Sequence, residues 1–206
     1  MKLCRTHYVA AALLAMLGGC VSLERLERSY PEKRFYVLEV REPAPAGGAV
    51  QDAILQVSTL RISPRYQDRS FVYRISDNGF EADFYNQFIA PPAGLISEEI
   101  RKSLIGAELF KYVISASNSQ APSYVLEGAV NGIYGDFRNR NAPAAVIDLE
   151  FFLTSDLPAK PGIVLQKRYV KSVPVSSRSP EALVKSWDLA LEEILTALIA
   201  DLKAVR

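Results

Sequence analysis

The residue with the clearest chemical potential in this sequence is Cys20, because of what precedes it. Lys2 and Arg5 make the first segment positive, and an apolar run follows over residues 8–17. That run is about half the length that a helix needs to span a bilayer. Positive charge, a short apolar core and the small residues Gly18 and Gly19 are typical of a secretory signal peptide. The thiol of Cys20 stands directly after this exit.

Residues 17–20, Leu-Gly-Gly-Cys, resemble the lipobox of bacterial lipoproteins. In that family the Cys thiol receives a diacylglycerol, the signal is removed just before it, and the new amino terminus is acylated. We therefore predict a signal peptide over residues 1–19, lipidation of Cys20 and a tether over residues 20–33. One acyl chain alone binds a membrane only marginally, whereas several chains anchor it stably. The alternatives are an ordinary signal peptide that contains a Cys, or a buried apolar helix.

Loss of such a signal peptide would remove the groups on which much enzyme chemistry depends. The sequence has two Cys and one His, and Cys4 and His7 would both leave. With Cys20 lipidated, a Ser-His-Asp site, a Cys-His site and a His-ligated zinc are excluded. Lys185 and Ser186 are adjacent, which is the wrong spacing for one helical face. We expect no catalytic residues, no metal, no cofactor and no enzymatic activity.

The composition favours one folded domain over residues 34–206. Hydrophobic residues make up 49% of the sequence, enough for a substantial core. Removing Lys2 and Arg5 changes the formal net charge from +1 to −1. Without a strong basic field, nucleic acid is not an expected partner.

One polar cluster could bind a partner. Arginines and tyrosines, which are favoured interface anchors, recur in the segment 65–74. The alternative is an ordinary hairpin turn in which arginine stems pack beside tyrosines. The candidate partner-binding residues are Tyr66, Asp68, Arg69, Tyr73 and Arg74.

The elements that must position these residues follow from hydrophobic patterning. Strands are predicted at 35–40, 54–57 (running on through Leu60 and Ile62), 71–75, 80–85, 124–130 (extended by 132–137 with a bulge or bend), 144–154 and 163–175. Residues 109–114 lead the chain back towards the sheet. The residues Asp-Asn-Gly at 77–79 predict a tight turn. Ile96, Ile100 and Leu104 predict a helix that Gly106 would cap.

The last helix has a complete start signal. Ser179 is the predicted N-cap, and Pro180 occupies the first helical position. A three- and four-residue apolar stripe follows, formed by Val184, Trp187, Leu191, Ile194, Leu198 and Leu202. The sequence thus predicts an α/β fold, with α+β as an alternative, in which six to eight strands form one mixed sheet packed by two main helices. Strand order stays open.

The order of these features resembles the ABC-type transport auxiliary lipoprotein family. The resemblance rests on the lipobox, the Phe-Tyr-Val-Leu strand at 35–38, the segment 62–74 (Ile-Ser-Pro-Arg-Tyr-Gln-Asp-Arg-Ser-Phe-Val-Tyr-Arg), the aromatic stretch 84–88 and the closing helix. It covers nearly the whole chain after Cys20. The sequence departs from the family at Phe88, where many members carry Trp, and at 90–92, where an acid-Pro-Leu run is common.

The resemblance implies a fold like the N-terminal domain of TolB and an accessory role in transport. Such lipoproteins serve systems that combine an ABC permease with a mammalian-cell-entry (MCE) protein and move lipids or other hydrophobic molecules. Val21, where Asp would retain the protein in the inner membrane, favours the periplasmic face of the outer membrane. The expected partners are the membrane, an MCE protein and its ABC permease, and homo-oligomerisation stays open.

Two other functions fit the same anchor and domain. One is a lipoprotein that activates an envelope enzyme such as a peptidoglycan synthase. The other is a direct lipid carrier, which would need an apolar cavity.

Overall fold

The computed structural model describes residues 32–41, 43–139 and 141–205, and all of these except Glu32 belong to the compact unit Lys33–Arg206. The predicted signal peptide and Cys20 lie outside the described residues. The strands are β1 (Arg34–Tyr36), β2 (Gln51–Val57), β3 (Arg61–Ile62), β4 (Ser70–Arg74), β5 (Phe80–Phe88), β6 (Phe110–Ser115), β7 (Tyr124–Asp136), β8 (Ala144–Ser155) and β9 (Gly162–Pro174). The helices are α1 (Pro92–Gly106) and α2 (Pro180–Val205).

The sheet is built around β7. On one side β7 pairs antiparallel with β8 along its length, and β8 pairs with β9. On the other side three strands pair with β7 in turn, all parallel: β2 near its start, β3 in its middle and β4 at its end. β6 extends the sheet beyond β2, and β5 and then β1 extend it beyond β4. The described residues therefore form one mixed nine-stranded sheet, which confirms the predicted fold class.

Helix α2 closes the core over this sheet. Its start is as predicted, since the Ser179 hydroxyl accepts a hydrogen bond from the Ala182 N–H at 3.1 Å. Trp187 is fully buried, and its ring lies 5.0 Å from Phe71 and 5.4 Å from Phe88. The apolar stripe thus faces the sheet, and the remaining buried members of the stripe are Leu191, Ile194, Leu198 and Leu202.

Helix α1 packs against β2, β6 and α2 but ends differently from the prediction. Gly106 is its last helical residue rather than its cap. The N–H of Ala107 bonds to the carbonyl of Ser103 at 2.9 Å, and Glu108 takes a left-handed conformation with φ 52°. A non-glycine residue thus occupies the position that glycine usually fills after a helix.

The first strand is shorter than the predicted strand 35–40. It ends at Tyr36, because the next backbone groups bond to helix side chains instead of to a neighbouring strand. The N–H of Glu39 donates to Asp188 Oδ1 at 3.0 Å, and the N–H of Val40 donates to Glu99 Oε2 at 3.0 Å. These two hydrogen bonds attach residues 39 and 40 to α2 and α1, respectively.

Strand β5 is longer than predicted and contains a bulge. Its pairing with β4 runs from Val72 opposite Ala82 to Ser70 opposite Gln87, so residues 83–86 have no regular partner positions on β4. The predicted alternation that places Phe80, Ala82 and Phe84 on one face is therefore wrong beyond Ala82. We call residues 83–86 the β5 bulge.

Candidate functional site

The structure divides the five predicted partner-binding residues among three locations. Arg74 and Tyr66 lie together on one side of β4, although Tyr66 is only 3% exposed. Tyr73 projects to the opposite side, as neighbours in a strand do. Arg69 is exposed and lies over the ring of Phe35, with 5.8 Å from the guanidinium carbon to the ring centre. Asp68 is also exposed.

Tyr66 and Arg74 belong to a cluster of two arginines and three aromatic rings. The guanidinium carbons of Arg65 and Arg74 lie 5.1 and 5.8 Å from the ring centre of Phe80. Tyr134 contacts Phe80 edge-on at 6.2 Å and stacks on Tyr66 at 6.0 Å. We call Arg65, Tyr66, Arg74, Phe80 and Tyr134 the arginine pocket. They line an open concavity of about 530 Å³.

The carboxylates at the rim of the arginine pocket are already engaged by other arginines. Asp77 accepts a hydrogen bond from Arg138 Nη1 at 3.0 Å. Asp148 accepts from Arg168 Nε at 2.8 Å. Arg138 also binds Asp136, so the rim carboxylates are balanced only in part. An incoming negative group would compete with them for Arg65 and Arg74.

The guanidinium group of Arg74 is fixed by one hydrogen bond, but not all of its donors have an acceptor. One of its terminal nitrogens donates to the carbonyl of Asp77 at 2.9 Å. Its Nε is buried and has no hydrogen-bond partner among the described residues. A buried donor without an acceptor costs about 1–3 kcal/mol, so Arg74 keeps one unsatisfied donor beneath the surface of the pocket. Carboxylate and phosphate oxygens suit the planar donor geometry of arginine.

Tyr66 supports this site as a neutral side chain. Burial raises the pKa of Tyr66 above its usual value, and the hydrogen bond from Arg65 opposes that rise only in part. Its ring forms the floor of the arginine pocket instead of an exposed contact.

Tyr73 has a different role, because it supports the β5 bulge. Its hydroxyl donates to Asp83 Oδ2 at 2.7 Å. Asp83 Oδ1 also accepts from the backbone N–H groups of Tyr85 and Asn86 at 2.8 and 3.0 Å. Burial acts to raise the pKa of Asp83, but these hydrogen bonds, with that from the Asn86 side chain, hold it below its usual value. Burial raises the pKa of Tyr73, which stays a neutral donor.

Three residues of the arginine pocket are not among the predicted partner-binding residues. Arg65 lies in the segment 65–74 but is not one of the five candidates, and Phe80 falls in the predicted strand 80–85. Tyr134 lies 68 positions after Tyr66, and nothing in local patterning brings the two together. The parallel pairing of β4 with the end of β7 joins them.

No group of three or more His, Cys, Asp or Glu in the described part of the chain is placed to hold a metal ion. Among the same residues, neither helix is both long and apolar enough to cross a membrane.

The fold is shared with solved structures of low sequence identity. A Xanthomonas campestris protein described as DUF330 superimposes with a TM-score of 0.73 at 16% identity, covering 84% of this chain and 96% of that one. An uncharacterised protein gives 0.65 at 15% identity, covering 83% and 99%. A hypothetical protein from Chlamydia trachomatis gives 0.50 at 10% identity, covering 75% and 98%. No protein-family model and no curated protein matches the sequence. These similarities show a common fold and leave the function to be argued from the residues.

Proposed function

We propose that this protein is an outer-membrane-anchored periplasmic lipoprotein that docks a partner of an ABC/MCE-type transport system moving lipids or hydrophobic molecules. The observation that carries the proposal is the position of the arginine pocket. Three of its members, Arg65, Tyr66 and Arg74, belong to the segment 62–74 on which the family resemblance rests. The segment on which the family resemblance rests thus also supplies three of the five residues of the arginine pocket.

The proposal gives each part of the chain a role. Acylated Cys20 holds the protein on the membrane, and the tether gives the domain reach. The arginine pocket receives an acidic side chain or carboxyl terminus of the MCE protein or the permease. The domain itself catalyses nothing in this account. Self-association is compatible with it, because one anchored copy could dock at each partner subunit.

The identity of the partner tests the proposal. The full-length lipoprotein is crosslinked in its own cells, purified by affinity and examined by mass spectrometry. Recovery of an MCE-domain protein or its ABC permease is expected. Recovery of a peptidoglycan synthase without either of them would overturn the proposal and favour an activator of that enzyme, the second reading of the sequence.

A further inference from the structure

The β5 bulge presents two aromatic side chains to solvent. Phe84 is 64% exposed and Tyr85 is 38% exposed, and their rings meet edge-on at 5.2 Å. The hydrogen bonds that Asp83 accepts fix the backbone of the bulge, so both rings are held outward by a built network. Contiguous exposed apolar patches mark sites of interaction with proteins or membranes.

Cations accompany these rings. Lys33 Nζ lies 4.2 Å from the ring centre of Phe84. On the adjoining strand β1, Phe35 is also exposed and carries Arg69 over its ring. We call Lys33, Phe35, Arg69, Phe84 and Tyr85 the aromatic-basic patch. Aromatic rings beside lysine and arginine are typical of the membrane–water interface, where the rings lie at the headgroups and the cations meet anionic lipid.

The chain that carries the predicted anchor arrives at this patch. Lys33 follows Cys20 by thirteen positions, a span of at most about 45 Å when extended. Strand β1 then pairs directly with the bulged strand, with Arg34 opposite Asn86. Among the described surfaces, the aromatic-basic patch is therefore the one with the fewest residues between it and Cys20, which would carry the acyl groups.

We propose that the aromatic-basic patch rests on the lipid surface and orients the anchored domain, with Phe84 and Tyr85 entering the headgroup region. The occupant is an anionic bilayer rather than a second copy, because the anchor leads to this face and because the rings are paired with cations. Arg69, predicted as a partner-binding residue, is thereby assigned to lipid. The inference rests on the lipid anchor of the proposed function but not on the transport partner.

A tryptophan placed in the patch tests the orientation. The full-length acylated protein is reconstituted in vesicles of phosphatidylethanolamine and phosphatidylglycerol, with the variant Phe84→Trp and the control Ile163→Trp. Ile163 is 65% exposed and lies on β9, at the other edge of the sheet. Native Trp187 is buried, and its emission is subtracted using the parent protein. Phospholipids brominated near the glycerol end of the chains serve as the quencher.

We expect at least about a twofold loss of the added emission at position 84 and none at position 163, because interfacial side chains lie about 5–10 Å into the headgroup–acyl boundary. Equal quenching at the two positions would overturn the proposal. So would an unquenched, solvent-shielded Trp at position 84 in a protein that purifies as a stable oligomer, because a second copy would then cover the patch.

Two controls separate the possible failures. Tyr85→Trp gives the same readout if Phe84→Trp does not fold. The mass of the amino-terminal peptide reports acylation of Cys20 in the same samples. Absence of acylation would defeat this inference and the anchored function together, whereas an acylated protein with an unquenched Trp would defeat the orientation alone.

Discussion

Gly128 lies in β7 at a position where its neighbours leave no room for a side chain. A Cβ at this position would stand 2.5 Å from the carbonyl oxygen of Glu150 and 2.9 Å from a ring carbon of Phe151. Both neighbours belong to the centre of the sheet and cannot move far. The glycine is therefore required by the contact, and it is not part of a phosphate-binding loop.

We expect Gly128→Ala to lower the free energy of unfolding by about 1–3 kcal/mol, the usual cost of forcing extra volume into a packed interior. Gly94→Ala is the matched control, because a Cβ there meets no described atom within 4 Å and the site lies in α1. That control should stabilise by about 0.5–1 kcal/mol. Urea denaturation measures both, and equal effects of the two variants would contradict the packing argument.

Asp188 is a half-buried carboxyl that is costly to ionise. Burial raises its pKa to about 6, and the nearby charges of Glu39 and Glu99 act in the same direction. The hydrogen bond from the Glu39 N–H opposes the rise without cancelling it. Because the folded pKa exceeds the unfolded value of 3.8, this group favours the folded state at low pH, and its contribution is lost as pH rises through about 6.

Asp188→Asn should therefore raise the free energy of unfolding at pH 7.5 by about 1 kcal/mol, a value reduced from the full linkage because the group keeps contact with solvent. The amide oxygen of Asn can still accept from the Glu39 N–H. The gain should shrink towards pH 4, where the native carboxyl is protonated. Denaturation curves at the two pH values test this, and a loss of stability at pH 7.5 would contradict it.

The β5 bulge depends on one carboxylate that accepts several hydrogen bonds. In Asp83→Asn the amide oxygen can replace Oδ1, but the amide nitrogen cannot accept from the Tyr73 hydroxyl or from the Asn86 side chain. We expect a loss of about 1–2 kcal/mol in the free energy of unfolding. Amide hydrogen exchange at Tyr85 and Asn86 should also accelerate. Unchanged exchange at both amides would show that Asp83 does not hold the bulge.

Elements with strong local signals were predicted well from the sequence. Helix α2 has its Ser179 cap and apolar stripe. The Asp-Asn-Gly triplet at 77–79 does lie in the loop between β4 and β5, and the Ile75 N–H closes this loop by donating to the Gly79 carbonyl at 3.0 Å. Neither Asn78 nor Gly79 takes the positive φ of the tight turn that the triplet predicted. The two bulges differ in whether the sequence signals them. The bulge in β7 falls between Val130 and Gly132, within the region where glycines suggested a bend. The bulge in β5 has no glycine, and its cause is the set of side-chain hydrogen bonds around Asp83.

Strand order could not be predicted, because parallel pairing joins segments that are far apart in the chain. Leu55 pairs with Tyr124, and Tyr73 pairs with Gly135, and neither turn chemistry nor alternation records such partners. The arginine pocket is a product of this pairing. The sequence could therefore single out the segment that contains Tyr66 and Arg74 as a candidate. It could not add Tyr134 to that segment or separate Tyr73 from it.

The whole molecule works, in this account, as a folded domain attached to lipid through Cys20. Cys20→Ser removes the thiol that would receive the diacylglycerol. We expect an unlipidated precursor of higher mass that retains residues 1–19, because the signal is cut only after lipidation in lipoproteins of this type. Mass spectrometry of the purified protein checks this, with the wild-type chain as control. Normal cleavage of the variant would refute the anchor.

The most direct test of the account compares charge reversals in the crosslinked capture of partners. Arg65→Glu changes the arginine pocket, and Lys185→Glu reverses an exposed charge on α2 as the control. Loss of a charge contact at the centre of an interface typically costs about 2–5 kcal/mol, so Arg65→Glu should reduce recovery of the MCE protein by more than about tenfold. Lys185→Glu should recover it as well as the wild type does. Equal recovery by all three proteins, or no MCE protein with the wild type, would contradict the docking role.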